Sequence, residues 1–124
     1  MSSPKQQTIA APIELEGVGL HTGSSARVSF MPSEANTGVR FRRRDLTADD
    51  VPATLEHIVS TDRGTTLGKG EARVHTVEHL LAAVAALEID NLLIETDGPE
   101  IPIGDGSFKP FYEALSSAGA TAQA

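Results

Sequence analysis

The sequence predicts an α+β fold, a sheet of short strands covered on one face by helices, and three observations carry that expectation. Ser25 to Met31 alternates strictly, with Ala26, Val28 and Phe30 to one side and Arg27 and Ser29 to the other, the pattern of a half-buried strand. Leu92-Leu93-Ile94-Glu95 is a near-continuous apolar run, as expected of a central strand with both faces covered. Between them, Val77, Leu80, Leu81, Val84 and Leu87 recur at helical spacing and form one stripe.

Taken in order, residues 1–6 read as a disordered lead, and Gln7 to Leu15 as an extended segment that Pro12 confines to a sheet edge or a bulge. Gly17-Val18-Gly19-Leu20-His21-Thr22-Gly23 is a glycine-rich turn with no helix after it, so it is not a phosphate loop. Val39 to Arg42 alternates again, and a hairpin with Ser25–Met31 is expected across the Pro32–Gly38 loop. Leu46 to Pro52 reads as a polar turn. Ala53 to Ser60, Thr65 to Leu67 and Glu71 to Val74 read as short strands on the sheet's margin. A second helix is expected from about Phe108 to Ser117, with Pro110 in its first turn, Gly119 just past its end, and Phe108, Phe111, Tyr112 and Leu115 as its apolar face. The expected organisation is therefore a lead over 1–6, a single domain over 7–119, and a linker or tail over 120–124.

The 124 residues allow one domain with a real core, and 40% hydrophobic with 22% charged residues is a globular balance. A net charge of -7 argues against a nucleic-acid partner. The basic run Arg40, Arg42, Arg43, Arg44 is followed by Asp45, Asp49 and Asp50 and reads as a solvated strand edge rather than an anion site. No apolar run approaches a membrane span, and Met1–Gln7 has no apolar core like a secretory signal. The chain has no cysteine, which suits a cytoplasmic setting and leaves only His, Asp and Glu to bind a metal.

The chemistry concentrates at Val74-His75-Thr76-Val77-Glu78-His79-Leu80-Leu81. His75-x-x-Glu78-His79 matches the pattern of inverted zinc peptidases, in which both histidines bind zinc from one helical face. That reading needs His75 inside the helix. Thr76 is a good N-cap candidate behind a strand, which would leave His75 outside. The helix also carries an unusual second face, with Ala82, Ala83, Ala85 and Ala86 where a wet surface would carry Lys, Glu or Gln. A covering partner is expected there. Asp105 with Ser107 reads either as a cap of the second helix or as part of a site.

Several of these stretches occur together, in order, in one known family. Gly17–Gly23, Asn36-Thr37-Gly38-Val39, Thr76-Val77-Glu78-His79-Leu80, Ile89-Asp90-Asn91, Glu100-Ile101-Pro102-Ile103 and Asp105-Gly106-Ser107 resemble the UDP-3-O-acyl-N-acetylglucosamine deacetylases, the zinc hydrolases that commit bacteria to lipid A synthesis. The resemblance runs from about Gln7 to Gly119. It implies a two-layer α+β sandwich, ribosomal protein S5 domain 2-like, in which two helices lie on one face of a mixed sheet and a small sheet is inserted. It also implies that this chain corresponds to the first of two such domains, whose helices meet between the sheets. The C-terminal domain of the same enzyme would then pack on the helix face around Ala82, Ala83 and Ala86.

By the same resemblance Glu78 is the general base, His79 a Zn2+ ligand, and His21 close to the site, with Arg63-Gly64-Thr65 in the inserted sheet beside the sugar. The remaining zinc ligands would come from the second domain. The implied substrate is UDP-3-O-acyl-N-acetylglucosamine, cleaved to UDP-3-O-acyl-glucosamine and acetate. The alternative is a binding or interaction module that kept the fold without the chemistry.

Overall fold

A computed structural model describes residues 5–18, 25–47, 49–61, 64–102 and 109–123. It is α+β, with two helices and both mixed and antiparallel sheets. The main sheet has five strands: β2 (Ile13–Val18), β3 (Ser25–Pro32), β4 (Val39–Arg43), β5 (Val51–Pro52) and β9 (Leu92–Thr96), in the order β2-β3-β9-β4-β5. A separate antiparallel sheet is built from β6 (Ile58–Ser60), β7 (Thr66–Lys69) and β8 (Ala72–His75). The helices are α1 (Glu78–Ala86) and α2 (Lys109–Ala118).

The apolar run at Leu92 does become the central strand, and this overturns the expected hairpin. β9 lies between β3 and β4, antiparallel to the first and parallel to the second, so the two alternating strands never pair. The physical reason is the two-sided apolar character of β9, which is best satisfied with a neighbour on each edge. The register places Phe30, Ile94 and Phe41 side by side on the inner face, all fully buried. From the helices, Leu80, Ala83, Val84, Phe111 and Leu115 join the same core. α2 packs against both α1 and β2.

Other expectations are corrected locally. Pro12 breaks the first extended segment in two. Residues Gln7–Ile9 form β1, which leaves the main sheet to pair antiparallel with β10 (Ala120–Ala122), the stretch expected to be a linker or tail. The Ala10 N–H donates to the Gly119 carbonyl at 2.7 Å and continues this pairing. Residues 1–4 of the expected lead lie outside the described residues, but the Gln6 amide bonds Asn36 and Asn91. Val51–Pro52, expected as turn, pairs with β4, while Leu55–His57 of the expected strand is a single turn of 3-10 helix. α2 ends as expected: Gly119 has φ 83°, and its N–H reaches the carbonyls of Leu115 and Ser116. Tyr112, expected on the apolar face, is 38% exposed, and Ala114 takes its place in the core.

The basic run is held in ion pairs, those of Arg40 and Arg42 on the face of β4 opposite the buried Phe41. Arg40 and Arg42 both bond Asp50, Arg43 bonds Asp45, and Arg44 bonds Asp97. The hydrogen bond from Arg42 holds the Asp50 carboxyl below the usual carboxylate range, against the opposing effect of burial. A lowered folded value stabilises the protein above the unfolded aspartate pKa of about 3.9 and is lost as pH falls through the folded value. Asp50→Asn is therefore expected to cost about 1 kcal/mol at pH 7 and almost nothing at pH 3, read from urea unfolding at the two pH values. A cost that is the same at both would show that the charge of Asp50 contributes nothing.

No helix among the described residues is long and apolar enough to cross a membrane.

Candidate active site

The strand β8 runs directly into α1, and the junction places the acidic and imidazole side chains. His75 ends the strand. Its N–H donates to the Pro99 carbonyl at 2.6 Å, its own carbonyl accepts from Ile101, and its ring Nδ1 lies 2.9 Å from the Thr66 hydroxyl. His75 is thus held against β7 and the 99–101 segment, and not on the helix with His79. This geometry removes the inverted-peptidase reading.

Thr76 follows with φ 62°, a left-handed conformation that is costly for a β-branched residue, on the order of 1–3 kcal/mol. It does not cap α1. The N-cap position is Val77, with no side-chain cap, and among the described residues the buried Thr76 hydroxyl has no hydrogen-bond partner. The inserted sheet does the capping in its place: the Thr65 carbonyl accepts from the Val77 N–H at 3.2 Å.

Thr65 also turns its own N–H to the site. It donates to Glu78 Oε2 at 2.7 Å, so one residue holds the helix start and orients its first carboxylate. Gly64, with φ 114°, comes so close that a Cβ built on it would lie 2.9 Å from Glu78 Oε1. Glu78 is half-buried in the first turn of α1.

His79 is the next residue, also half-buried, and among the described residues nothing bonds its ring. An imidazole nitrogen is a common metal ligand. Catalytic zinc takes three protein ligands. Among the described residues no three of His, Cys, Asp and Glu come together, so what is present fits one ligand and not a whole site.

The structure brings together Glu78, His79, Gly64 and Thr65. His21, Arg63, Asp105 and Ser107 lie outside the described residues. Of the alanine face, Ala82, Ala85 and Ala86 are exposed, but Ala83 is fully buried. It lies three residues from Leu80 and four from Leu87, on the core-facing side of the helix, and cannot be part of a docking surface. Nothing in the sequence pattern announces that Thr65 meets Glu78. The only local cue was the glycine before it.

Comparison with known proteins matches residues 6–124 to the family model LpxC, UDP-3-O-acyl N-acetylglycosamine deacetylase. The bifunctional enzyme LpxC/FabZ of Chlorobaculum tepidum is 49% identical over 119 residues, 95% of this chain and 26% of that protein. The UDP-3-O-acyl-N-acetylglucosamine deacetylases of Brucella melitensis and Chlamydia pneumoniae are 47% and 44% identical, over 95% and 92% of this chain. The chain spans 42% and 41% of their lengths. On the match over residues 6–124, the chain belongs to the LpxC family of UDP-3-O-acyl N-acetylglycosamine deacetylases.

Proposed function

We propose that this chain supplies about half of the active site of a zinc-dependent N-deacetylase. The substrate is UDP-3-O-acyl-N-acetylglucosamine, the products are UDP-3-O-acyl-glucosamine and acetate, and the step is the committed one of lipid A biosynthesis. The observation that carries the reading is the adjacency at the start of α1 of a carboxylate fixed by a backbone N–H and an imidazole that no described residue bonds. Family membership supplies the reaction.

In this reading His79 contributes one ligand to Zn2+, and the remaining ligands come from a second domain on the same ribosomal protein S5 domain 2-like fold. Bound zinc supplies Lewis-acid activation of water and of the amide carbonyl. Glu78 accepts the proton of the attacking water and passes it on to the departing amine as the C–N bond breaks, so acetate and a free amine result. The hydrogen bond from Thr65 keeps the carboxylate in one orientation during this transfer. By the family resemblance, His21 is assigned a place near the active site and Arg63-Gly64-Thr65 a place beside the sugar. The second domain docks over the exposed Ala82 and Ala86, where short side chains let another backbone approach closely.

Zinc stoichiometry tests the division of the site. The chain alone is expected to bind zinc weakly. Adding a polypeptide that carries the remainder of the enzyme is expected to bring metal content close to one zinc per pair, measured by atomic absorption after gel filtration. A complex that forms and still holds no zinc would favour the binding-module alternative.

A further inference from the structure

We infer that Gly64 is a positioning residue for the catalytic carboxylate: its missing side chain is what allows the turn before β7 to hold Glu78 in place. The inference rests on Glu78 being the general base. Two separate contacts point to it. Thr65 donates its N–H to Glu78 Oε2 at 2.7 Å, and the position a Gly64 Cβ would take is 2.9 Å from the other oxygen, Oε1. The turn therefore grips one carboxylate oxygen and passes flush against the second. The Thr65 carbonyl, bonded to the Val77 N–H, fixes the turn to the helix start, so the grip does not depend on flexible side chains.

Any side chain at residue 64 would displace the carboxylate. The displaced atoms are the far end of a flexible side chain, so fold stability loses little by the contact itself, while the base loses its orientation. This assigns the backbone of Gly64 and Thr65 a task distinct from touching the sugar, because the Thr65 N–H is already used by Glu78.

Gly70 is a control for alanine at positive φ away from the site; the larger strain at Gly64, whose φ of 114° lies outside the left-handed basin, is controlled by the Glu78→Gln background. Gly70, in the β7–β8 turn, also has positive φ, 59°, but nothing lies within 4 Å of where its Cβ would be. Gly70→Ala meets the conformational cost of an alanine at positive φ without touching the site.

The experiment uses the complete, zinc-loaded deacetylase. Gly64→Ala is expected to lower kcat about 10- to 100-fold with KM within about twofold, since misplacing a catalytic group by about 1 Å costs on that order. Gly70→Ala is expected to keep kcat within about twofold. In a Glu78→Gln background, Gly64→Ala is expected to add less than about twofold, because the group it acts through has lost its function. Glu78→Asp, which withdraws the carboxylate from the Thr65 N–H and leaves the turn intact, is expected to lose kcat comparably and covers the case in which Gly64→Ala folds poorly.

The inference is overturned if Gly64→Ala or Glu78→Asp keeps parental kcat, if the loss appears in KM alone, or if Gly64→Ala costs as much in the Gln background as in the parent. Full kcat in Glu78→Gln by itself would remove the base assignment as well, a result distinguishable from loss of the positioning role alone.

Discussion

Glu78→Gln in the complete enzyme is expected to lower kcat by about 10²- to 10⁴-fold, the usual contribution of a positioned general base, while zinc content stays at the parental level. The substitution is a narrow one. Glutamine keeps the length of the side chain and an oxygen that can accept from the Thr65 N–H, so the 2.7 Å contact has a replacement and the helix start is retained. What is lost is the ability to take a proton. His79 is untouched, and its ring nitrogen remains free for the metal. Acetate release against time, with zinc measured on the same sample, reads both quantities. Parental activity with full zinc would remove Glu78 from the mechanism. Loss of zinc together with activity would mean that Glu78 supports the metal rather than the proton transfer. His79→Ala is the complementary case, in which metal and activity are expected to fall together.

The elements with strong periodic patterns are legible in the sequence. The Val28–Phe30 face, the central position of Leu92–Ile94 and the Leu80–Val84 stripe all follow from apolar spacing, because burial of those side chains is what drives the fold. Pairing was less legible. Val39–Arg43 looked like the second arm of a hairpin, and nothing local says that a strand 50 residues further on will lie between the arms. Sheet order is decided by which strand has two apolar faces to cover, a comparison among distant segments. Gln7–Ile9 is extended as expected, but its pairing with Ala120–Ala122 was illegible for a related reason: those last three residues are too few to show a period.

The site divided in the same way. That a carboxylate and an imidazole, Glu78 and His79, open α1 could be read from residue type and motif. The left-handed Thr76 and the grip of Gly64–Thr65 could not, since both arise where the inserted sheet meets the helix. The alanine face gave a half-correct answer. Small residues do mark close approach, but Ala83 is approached by its own core and only Ala82, Ala85 and Ala86 remain open.

Asn91→Ala is expected to be the costliest polar substitution in the domain, at about 3 kcal/mol, because this one side chain uses its full hydrogen-bonding capacity. Its Oδ1 accepts from the N–H groups of Thr37 and Gly38, and its Nδ2 donates to the side-chain oxygens of Gln6 and Gln123. Asn91 is itself 2% exposed, and Gln6, Gly38 and Gln123 are half-buried although Thr37 is exposed, so water cannot replace all four bonds. Three segments meet there: the loop that carries the chain from β3 over the end of β9 to β4, the residue before β1, and the residue after β10. Truncation to alanine leaves two backbone donors without an acceptor just where the Pro32–Gly38 loop spans a strand. Each such group costs about 1–3 kcal/mol when it cannot reach water.

Asn91→Asp is the informative companion. It keeps both acceptor contacts to Thr37 and Gly38 but turns an oxygen toward the Gln6 and Gln123 acceptors, so it is expected to fall between the parent and alanine. Urea unfolding of the three proteins, with Tm as a check, gives the order. An alanine variant within 0.5 kcal/mol of the parent would show that the loop crossing is held by β-sheet pairing alone, and that the network around Asn91 follows the fold rather than stabilising it.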